Sequence, residues 1–260
     1  MDLLKTPERV EHASIIVTRN IERTAINNEF CRRFALLHKR PLFVSPAQDR
    51  FTGKHTMSDA DRTALRKLPD SQTDSLPGLL PLCEGLPVVL KKTISPKLNL
   101  CNGSMGRIVR IVLGDSANTN FDLASGEPQF LWEPPVCVLV HFPDAESRVH
   151  LEGLPPGVVP IYPVETAQPF DFRIRTRAGT LVRRVKRMQI PLHPAKCLTT
   201  YGAQGLTLPA IIIDICKAPI ARNHAQSMYV ALSRVRSLYD LAFLRPTWAS
   251  LPTWTVNCGA

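Results

Sequence analysis

Short apolar runs and one long amphipathic stretch set the order of elements at the start of the chain. Ser14-Ile15-Ile16-Val17-Thr18 is apolar and closes on Arg19-Asn20, which predicts a buried strand. Ile21, Ala25, Ile26, Phe30, Phe34 and Leu37 follow at helical spacing and predict a helix with those six residues along one buried stripe. A strand that feeds directly into a helix is an α/β signature. Residues 45–78 break the pattern, because Pro46, Gly53, Pro69 and Pro77 stand among polar residues. They predict an irregular connector with a short helix over Ser58–Lys67, capped by Ser58.

From residue 82 the pattern becomes all-β. Leu86–Leu90, Gly106–Leu113 and Val136–Phe142 are strand-like, and Asn102-Gly103 marks a turn between them. Phe172–Met188 predicts a basic hairpin around Ala178-Gly179. From Ile190 the α/β pattern returns. A Gly-containing loop (Thr199–Thr207) leads to a buried strand over 211–215, a helix near 222–234 and a last strand at Leu241–Leu244. The simplest architecture is a discontinuous α/β lobe, residues 1–60 and 188–250, interrupted by an inserted β-rich subdomain at 82–187. Residues 61–81 form the connector and 251–260 a tail.

Composition narrows the class. The 260 residues, 44% of them hydrophobic, suffice for one large domain or two modest ones. No apolar run approaches the roughly 18–20 residues of a membrane span, so no membrane partner is expected. The N-terminus is too polar for a signal peptide. The seven cysteines are odd in number and form no Cys-x-x-Cys pair. That predicts reduced, mostly buried thiols in an intracellular protein and no metal site. The net charge of +10 admits a solvated basic face or a polyanionic partner.

Local chemistry sharpens the second option. Arg173, Arg175 and Arg177 alternate with Ile174 and Thr176, and period two puts the three arginines on one face of a strand. Arg183, Arg184, Lys186 and Arg187 follow on the return, with no acid between Phe172 and Met188. A phosphate-tracking surface and a solvent-facing barrel wall both fit. In Thr199–Thr207, hydroxyls and the Gln204 amide offer neutral donors to phosphate oxygens, and Gly202 and Gly205 permit close approach. An ordinary αβ loop has the same composition. Arg234 ends an apolar helix, either as a dipole partner or as an arginine finger. Arg19 follows the first strand, at the edge where open α/β sheets place ligands. Arg19 and Arg234 are expected on one edge of the lobe, facing a common open surface. No Gly-x-x-x-x-Gly-Lys-Ser/Thr phosphate loop occurs, Gly53-Lys54-His55-Thr56 being a poor imitation, and no strand ends in an Asp-Glu pair for magnesium.

Together these segments resemble the C-terminal half of superfamily 1B DNA helicases of the PIF and RecD type, nearest the branch carried by Helitron-type transposons and their fungal relatives. Tyr229–Arg234, with Val235-Arg236-Ser237-Leu238 and Leu241, resembles that family's last motif. Thr199–Thr207 is similar to its nucleic-acid-coupling motif, although Tyr201-Gly202-Ala203-Gln204-Gly205 stands where His-Lys-Ser-Gln-Gly is usual. Val17-Thr18-Arg19-Asn20…Ile26-Asn27 resembles motif IV. Pro87–Leu90 with Leu100–Gly106 resembles the entry to an inserted SH3-like subdomain. The four segments appear in family order over residues 13–245.

The resemblance implies a RecA-like second lobe of the P-loop NTPase fold, without its own P-loop, carrying an SH3-like β-barrel. It implies an arginine finger at Arg234, a second phosphate contact at Arg19 and a nucleotide neighbour at Gly205. Single-stranded DNA contacts fall at Thr199, Thr200 and Gln204. ATP and Mg2+ belong only to a complete two-lobe enzyme, whose N-terminal lobe would act in cis or in trans. The family's settings are a nuclear location, DNA repair, recombination and telomere maintenance. Two readings stay open: part of a 5′-to-3′ helicase that cannot hydrolyse ATP alone, or a non-enzymatic nucleic-acid-binding module of transposon descent.

Overall fold

The computed structural model describes residues 10, 12–54, 56–114, 127–176, 179–214 and 224–244. The chain divides into two compact units, Met1–Asn27 with Lys196–Ala260, and Asn28–Ala195.

The first unit is built on a four-stranded, wholly parallel sheet. Its order is Cys197–Thr199, Ser14–Val17, Ile211–Asp214, Leu241–Phe243. Ile15 pairs with Cys197 on one side and with Ile212 on the other, so the two ends of the chain meet in one sheet, as the α/β reading requires. Ile16, Val17, Ile211 and Ile213 are almost wholly buried. Continuous apolar runs of this kind are what a parallel sheet covered on both faces demands. The helix His224–Leu232 buries Met228 and Ala231, three residues apart.

The helix Asn20–His38 forms as expected, but its buried line differs. Ile21 is 74% and Leu37 73% exposed, and Ala25 is exposed too. The wholly buried positions are Asn27, Cys31 and Ala35, spaced by four, with Phe30 and Phe34 half-buried beside them. The hydrophobic pattern misplaced the stripe because its first buried position is a polar residue, Asn27, and the other two are small.

The second unit is β-rich. Leu192–Pro194, Pro87–Leu90, Met105–Val112, Cys137–His141 and Val158–Ile161 form a five-stranded antiparallel sheet in that order. Gly106 sits where a Cβ would lie 2.8 Å from His141 O and 2.7 Å from Val140 Cγ1, so a side chain there would separate two paired strands. Phe43–Pro46 pairs with Leu79–Leu82 and Gln129–Phe130. Gln48–Phe51 pairs with Gly179–Gln189. The β-rich unit thus starts at residue 28, not at 82, and takes in two strands from the first 60 residues.

One apolar core, running from Cys31 to Leu192 along the chain, unites most of these strands. Within the expected connector, the helix Asp59–Arg66 has the predicted Ser58 cap. Ser58 Oγ accepts from Asp61 N–H, and the Asp61 carboxylate accepts from Ser58 N–H, a reciprocal capping box. Among the described residues no helix is long and apolar enough to cross a membrane. Cys31, Cys83, Cys101, Cys137 and Cys197 are free thiols.

Candidate nucleotide and nucleic-acid site

Parallel strands end together, so the loops that follow them share one edge of the sheet. Ser14–Val17 runs into Thr18-Arg19, and its neighbour Cys197–Thr199 runs into the Thr199–Leu208 loop. The two exits are tied: Thr200 N–H donates to Val17 O at 2.9 Å.

The loop is a compact turn. Thr199 Oγ1 accepts from Gly202 N–H at 3.0 Å and Thr199 O from Ala203 N–H at 2.8 Å. Tyr201 O accepts from Gln204 N–H, and Ala203 O from Leu206 N–H. Ala203 is wholly buried and pins the turn from below, while Tyr201, Gln204 and Thr207 face solvent. Gly205 has φ +82° with open space where a Cβ would stand, so its exposed backbone is accessible.

Arg234 closes the turn from the other side. Its Nε donates to Val230 O at 2.8 Å, Nη1 to Leu206 O at 3.0 Å, and Nη2 to the Ser233 hydroxyl at 2.6 Å. Nη1 also lies 3.5 Å from Ala203 O. The backbone joins the same network, since Leu208 N–H donates to Arg234 O at 2.8 Å. The two most informative sequence segments therefore form one hydrogen-bonded unit.

Arg19 stands apart. Its guanidinium pairs with Glu22 one turn along the helix, with Nε at 3.0 Å from Oε1, and this carboxylate raises its already high pKa. The helix before Leu241–Phe243 links two parallel neighbours, so it carries the chain back toward their N-terminal ends. Arg234 leaves at that end and Arg19 at the other. The sequence reading puts both on one edge; the topology separates their backbones, and only the Arg234 side chain reaches back along the loop.

Asn27 supports the site from outside the sheet. It is buried, its Nδ2 donates to Cys197 O at 2.9 Å, and its Oδ1 accepts from Cys197 N–H at 2.8 Å. Cys197–Thr199 is an edge strand, and the Asn27 amide supplies the pairing that a fifth strand would give. Burial pushes the Cys197 thiol up to about 12, which leaves it protonated and inert.

The basic hairpin forms in the second unit from Phe170–Thr176 and Gly179–Gln189. Arg173 is exposed and alternates with Phe172 and Ile174, which face a small core with Leu65 and Val185. Arg175 occupies the next strand position of the same parity, and Arg177 lies outside the described residues. The return strand does not add a uniform cationic surface. Lys186 pairs with Glu165 at 2.7 Å, and Arg184 lies 3.4 Å from Asp171. Arg187 is wholly buried against Asp49. Sequence reasoning assigned no role to Asp49, placed Asn27 only within the motif IV resemblance, and counted Arg187 on the basic surface of the hairpin, whereas it is a core residue. For Arg187 a signal existed, since it shares strand parity with Val185 and Gln189, both buried.

No protein-family model matches the chain, and no curated protein does. Solved structures do. The crystal structure of Pif1 helicase from Candida albicans matches with a TM-score of 0.52 and 19% identity, over 92% of this chain and 46% of that one. Pif1 helicase from Bacteroides, in complex with ADP-AlF3 and ssDNA, matches with a TM-score of 0.50 and 16% identity, over 90% of this chain and 40% of that one. The chain has the fold of part of a Pif1 helicase and spans less than half the length of either relative.

Proposed function

We propose that the chain is the C-terminal portion of an ATP-dependent 5′-to-3′ DNA helicase of PIF type. The observation that carries this reading is the bonding of Arg234 to the Thr199–Leu208 loop, on a lobe with the fold of a Pif1 helicase. A motor lobe needs its nucleotide-sensing and strand-gripping groups mechanically joined, and here one side chain joins them. In a complete two-lobe enzyme ATP and Mg2+ sit on the partner lobe. Arg234 then leaves the Leu206 carbonyl to stabilise charge on the transferring phosphoryl group beside the Gly205 backbone, and Arg19, once released from Glu22, makes a second phosphate contact from the opposite strand end. Thr199, Thr200 and Gln204 hold single-stranded DNA through neutral donors. Arg173, Arg175 and Arg177 add a cationic track on an SH3-like insertion. A nuclear location and a transposon origin belong to the same proposal.

A second reading, a nucleic-acid-binding module without catalysis, is favoured by the full set of acceptors that already surrounds Arg234. One experiment tests both. The pure chain releases no phosphate from ATP, with or without single-stranded DNA, because the groups that position phosphates and magnesium are not in it. DNA-stimulated hydrolysis that Arg234→Ala abolishes would contradict this and place a whole active site within these residues.

The chain binds single-stranded DNA with little sequence preference. With about four phosphates contacted, log affinity falls against log salt with a slope of roughly −3, from about −0.7 per contact. Changing Arg173, Arg175 and Arg177 together to Ser flattens that slope to roughly −1 by the same arithmetic. An unchanged slope would assign the hairpin to a solvent-facing wall and leave the Thr199–Leu208 loop as the DNA contact.

A further inference from the structure

Tyr201 is 86% exposed at the crest of a turn whose Thr200, Gly202, Ala203, Gln204 and Leu206 N–H groups are all hydrogen-bonded. Lone exposed apolar side chains are common and by themselves mean nothing. What distinguishes this ring is the rigidity and the chemistry around it. Thr200 N–H is fixed on Val17 O, Tyr201 O accepts from Gln204 N–H at 3.2 Å, and Ala203 is buried directly behind. Arg234 ties down Leu206 O on the far side. The backbone cannot fold the ring into the protein, and no hydrophobic cluster among the described residues includes it. Its neighbours Gly202 and Gly205 have no side chains to screen it.

Beside the ring, the exposed Gln204 and Thr207 side chains offer neutral polar groups. Among the described residues the N–H groups of Gly205 and Thr207 have no acceptor. Gln204 stands three positions after Tyr201 in the same hydrogen-bonded turn, a spacing that in a helical turn is roughly 5 Å of rise. That is about the reach of one nucleotide from base to phosphate. Base stacking on an aromatic ring, beside groups that hold the strand's backbone, is how proteins grip single-stranded nucleic acid with little regard to sequence.

We propose that Tyr201 is a base-stacking platform, and that the Thr199–Leu208 turn holds one nucleotide unit of single-stranded DNA with the base on Tyr201 and the phosphate on Gln204 and the Gly205 backbone. The proposal deepens the DNA-binding reading above and rests on it. Replacement of the charged and hydroxyl side chains usual in this motif by Gly202 and Ala203 then does not abolish DNA coupling; part of the grip moves from phosphate to base.

The test compares two strands of equal length on the full chain: oligo-dT, and an abasic phosphodiester strand with tetrahydrofuran in place of each nucleoside. Fluorescence anisotropy of wild type, Tyr201→Ala and Tyr201→Trp gives the affinities. The wild-type chain binds oligo-dT about tenfold more tightly than the abasic strand, from the per-base stacking energies typical of aromatic platforms. Tyr201→Ala removes that preference and leaves abasic binding unchanged. Tyr201→Trp keeps it, and the added indole fluorescence is quenched by oligo-dT but not by the abasic strand. Equal binding of both strands by wild type, or equal losses on both in Tyr201→Ala, overturns the stacking role while DNA binding stands. Failure of the wild type to bind either strand overturns the stacking role and the DNA-binding reading together.

Discussion

Replacing Arg187 with methionine destabilises the 28–195 unit by about 3–5 kcal/mol. Arg187 is wholly buried in the Gly179–Gln189 strand, and its guanidinium is bonded on all sides. Nε donates to Asp49 Oδ1 at 2.7 Å and Nη2 to Asp49 Oδ2 at 2.9 Å, a two-point clamp on a carboxylate whose side chain is 4% exposed. Nη2 also donates to Leu65 O at 2.7 Å and Nη1 to Leu76 O at 3.2 Å. The Phe170 ring lies 5.6 Å from the guanidinium carbon. One side chain thus joins the hairpin to the Gln48–Phe51 strand, the end of the Asp59–Arg66 helix and the segment before Leu79.

Methionine of similar length fills much of the space but leaves Asp49 as an unpaired buried charge and two carbonyls without donors. The charge dominates, because desolvation of an ion costs far more than loss of one neutral hydrogen bond. Lysine keeps the charge but cannot serve four acceptors in a plane, so Arg187→Lys falls between. Asp49→Leu combined with Arg187→Met recovers most of the loss, since no orphaned ion remains. Urea unfolding of the three variants reads this directly. A loss under about 1 kcal/mol for Arg187→Met would show that water reaches Asp49 and that the pair is not sealed.

The same residue shows what can be read from a sequence and what cannot. Ile211–Asp214 and Ser14–Val17 are continuous apolar runs bounded by polar residues, and both are strands at those positions. The Ser58 cap needed only local chemistry and stands where expected. The hairpin followed from its turn and period. Counting charges failed there, because net charge along a strand says nothing about which parity faces inward. Phe43–Pro46 and Leu79–Leu82 were hidden by their prolines, which pattern rules treat as breaks. The strand Cys197–Thr199 is three residues long and cannot be told from a loop without its neighbours. At the candidate site, the segments were legible and their connection was not. The bond from Arg234 to Leu206 O spans 28 residues and depends on where two backbones pass.

Asn27→Leu costs about 2–6 kcal/mol and loosens the Thr199–Leu208 loop with it, from roughly 1–3 kcal/mol for each of the two buried backbone groups left without a partner. Among the described residues Cys197–Thr199 is the edge of the parallel sheet, paired only with Ser14–Val17. Edge strands usually face water on their open side, but Cys197 is wholly buried. The Asn27 amide meets both of its backbone groups, donating to Cys197 O and accepting from Cys197 N–H. Leucine matches the volume and satisfies neither. Aspartate can still accept from the N–H but sets an oxygen against Cys197 O, so Asn27→Asp lies between leucine and wild type.

The consequence reaches the loop because Thr199 is two residues on, and its O and Oγ1 anchor the turn that carries Tyr201 and Gln204. The Cys197 thiol reports the change. Burial holds its pKa up to about 12, so at pH 8 it is protonated and does not react with a disulfide reagent. Fraying of the strand exposes it and returns it toward its ordinary value, and alkylation at pH 8 becomes fast. Asn27→Leu is therefore expected to show rapid loss of the Cys197 thiol, fast amide exchange at Cys197 and weaker binding to oligo-dT under conditions where the Ile211–Asp214 strand remains protected. If the Cys197 amide stays as protected as in the wild type, the edge strand is held by its sheet neighbour alone, and the Asn27 amide is not what completes it.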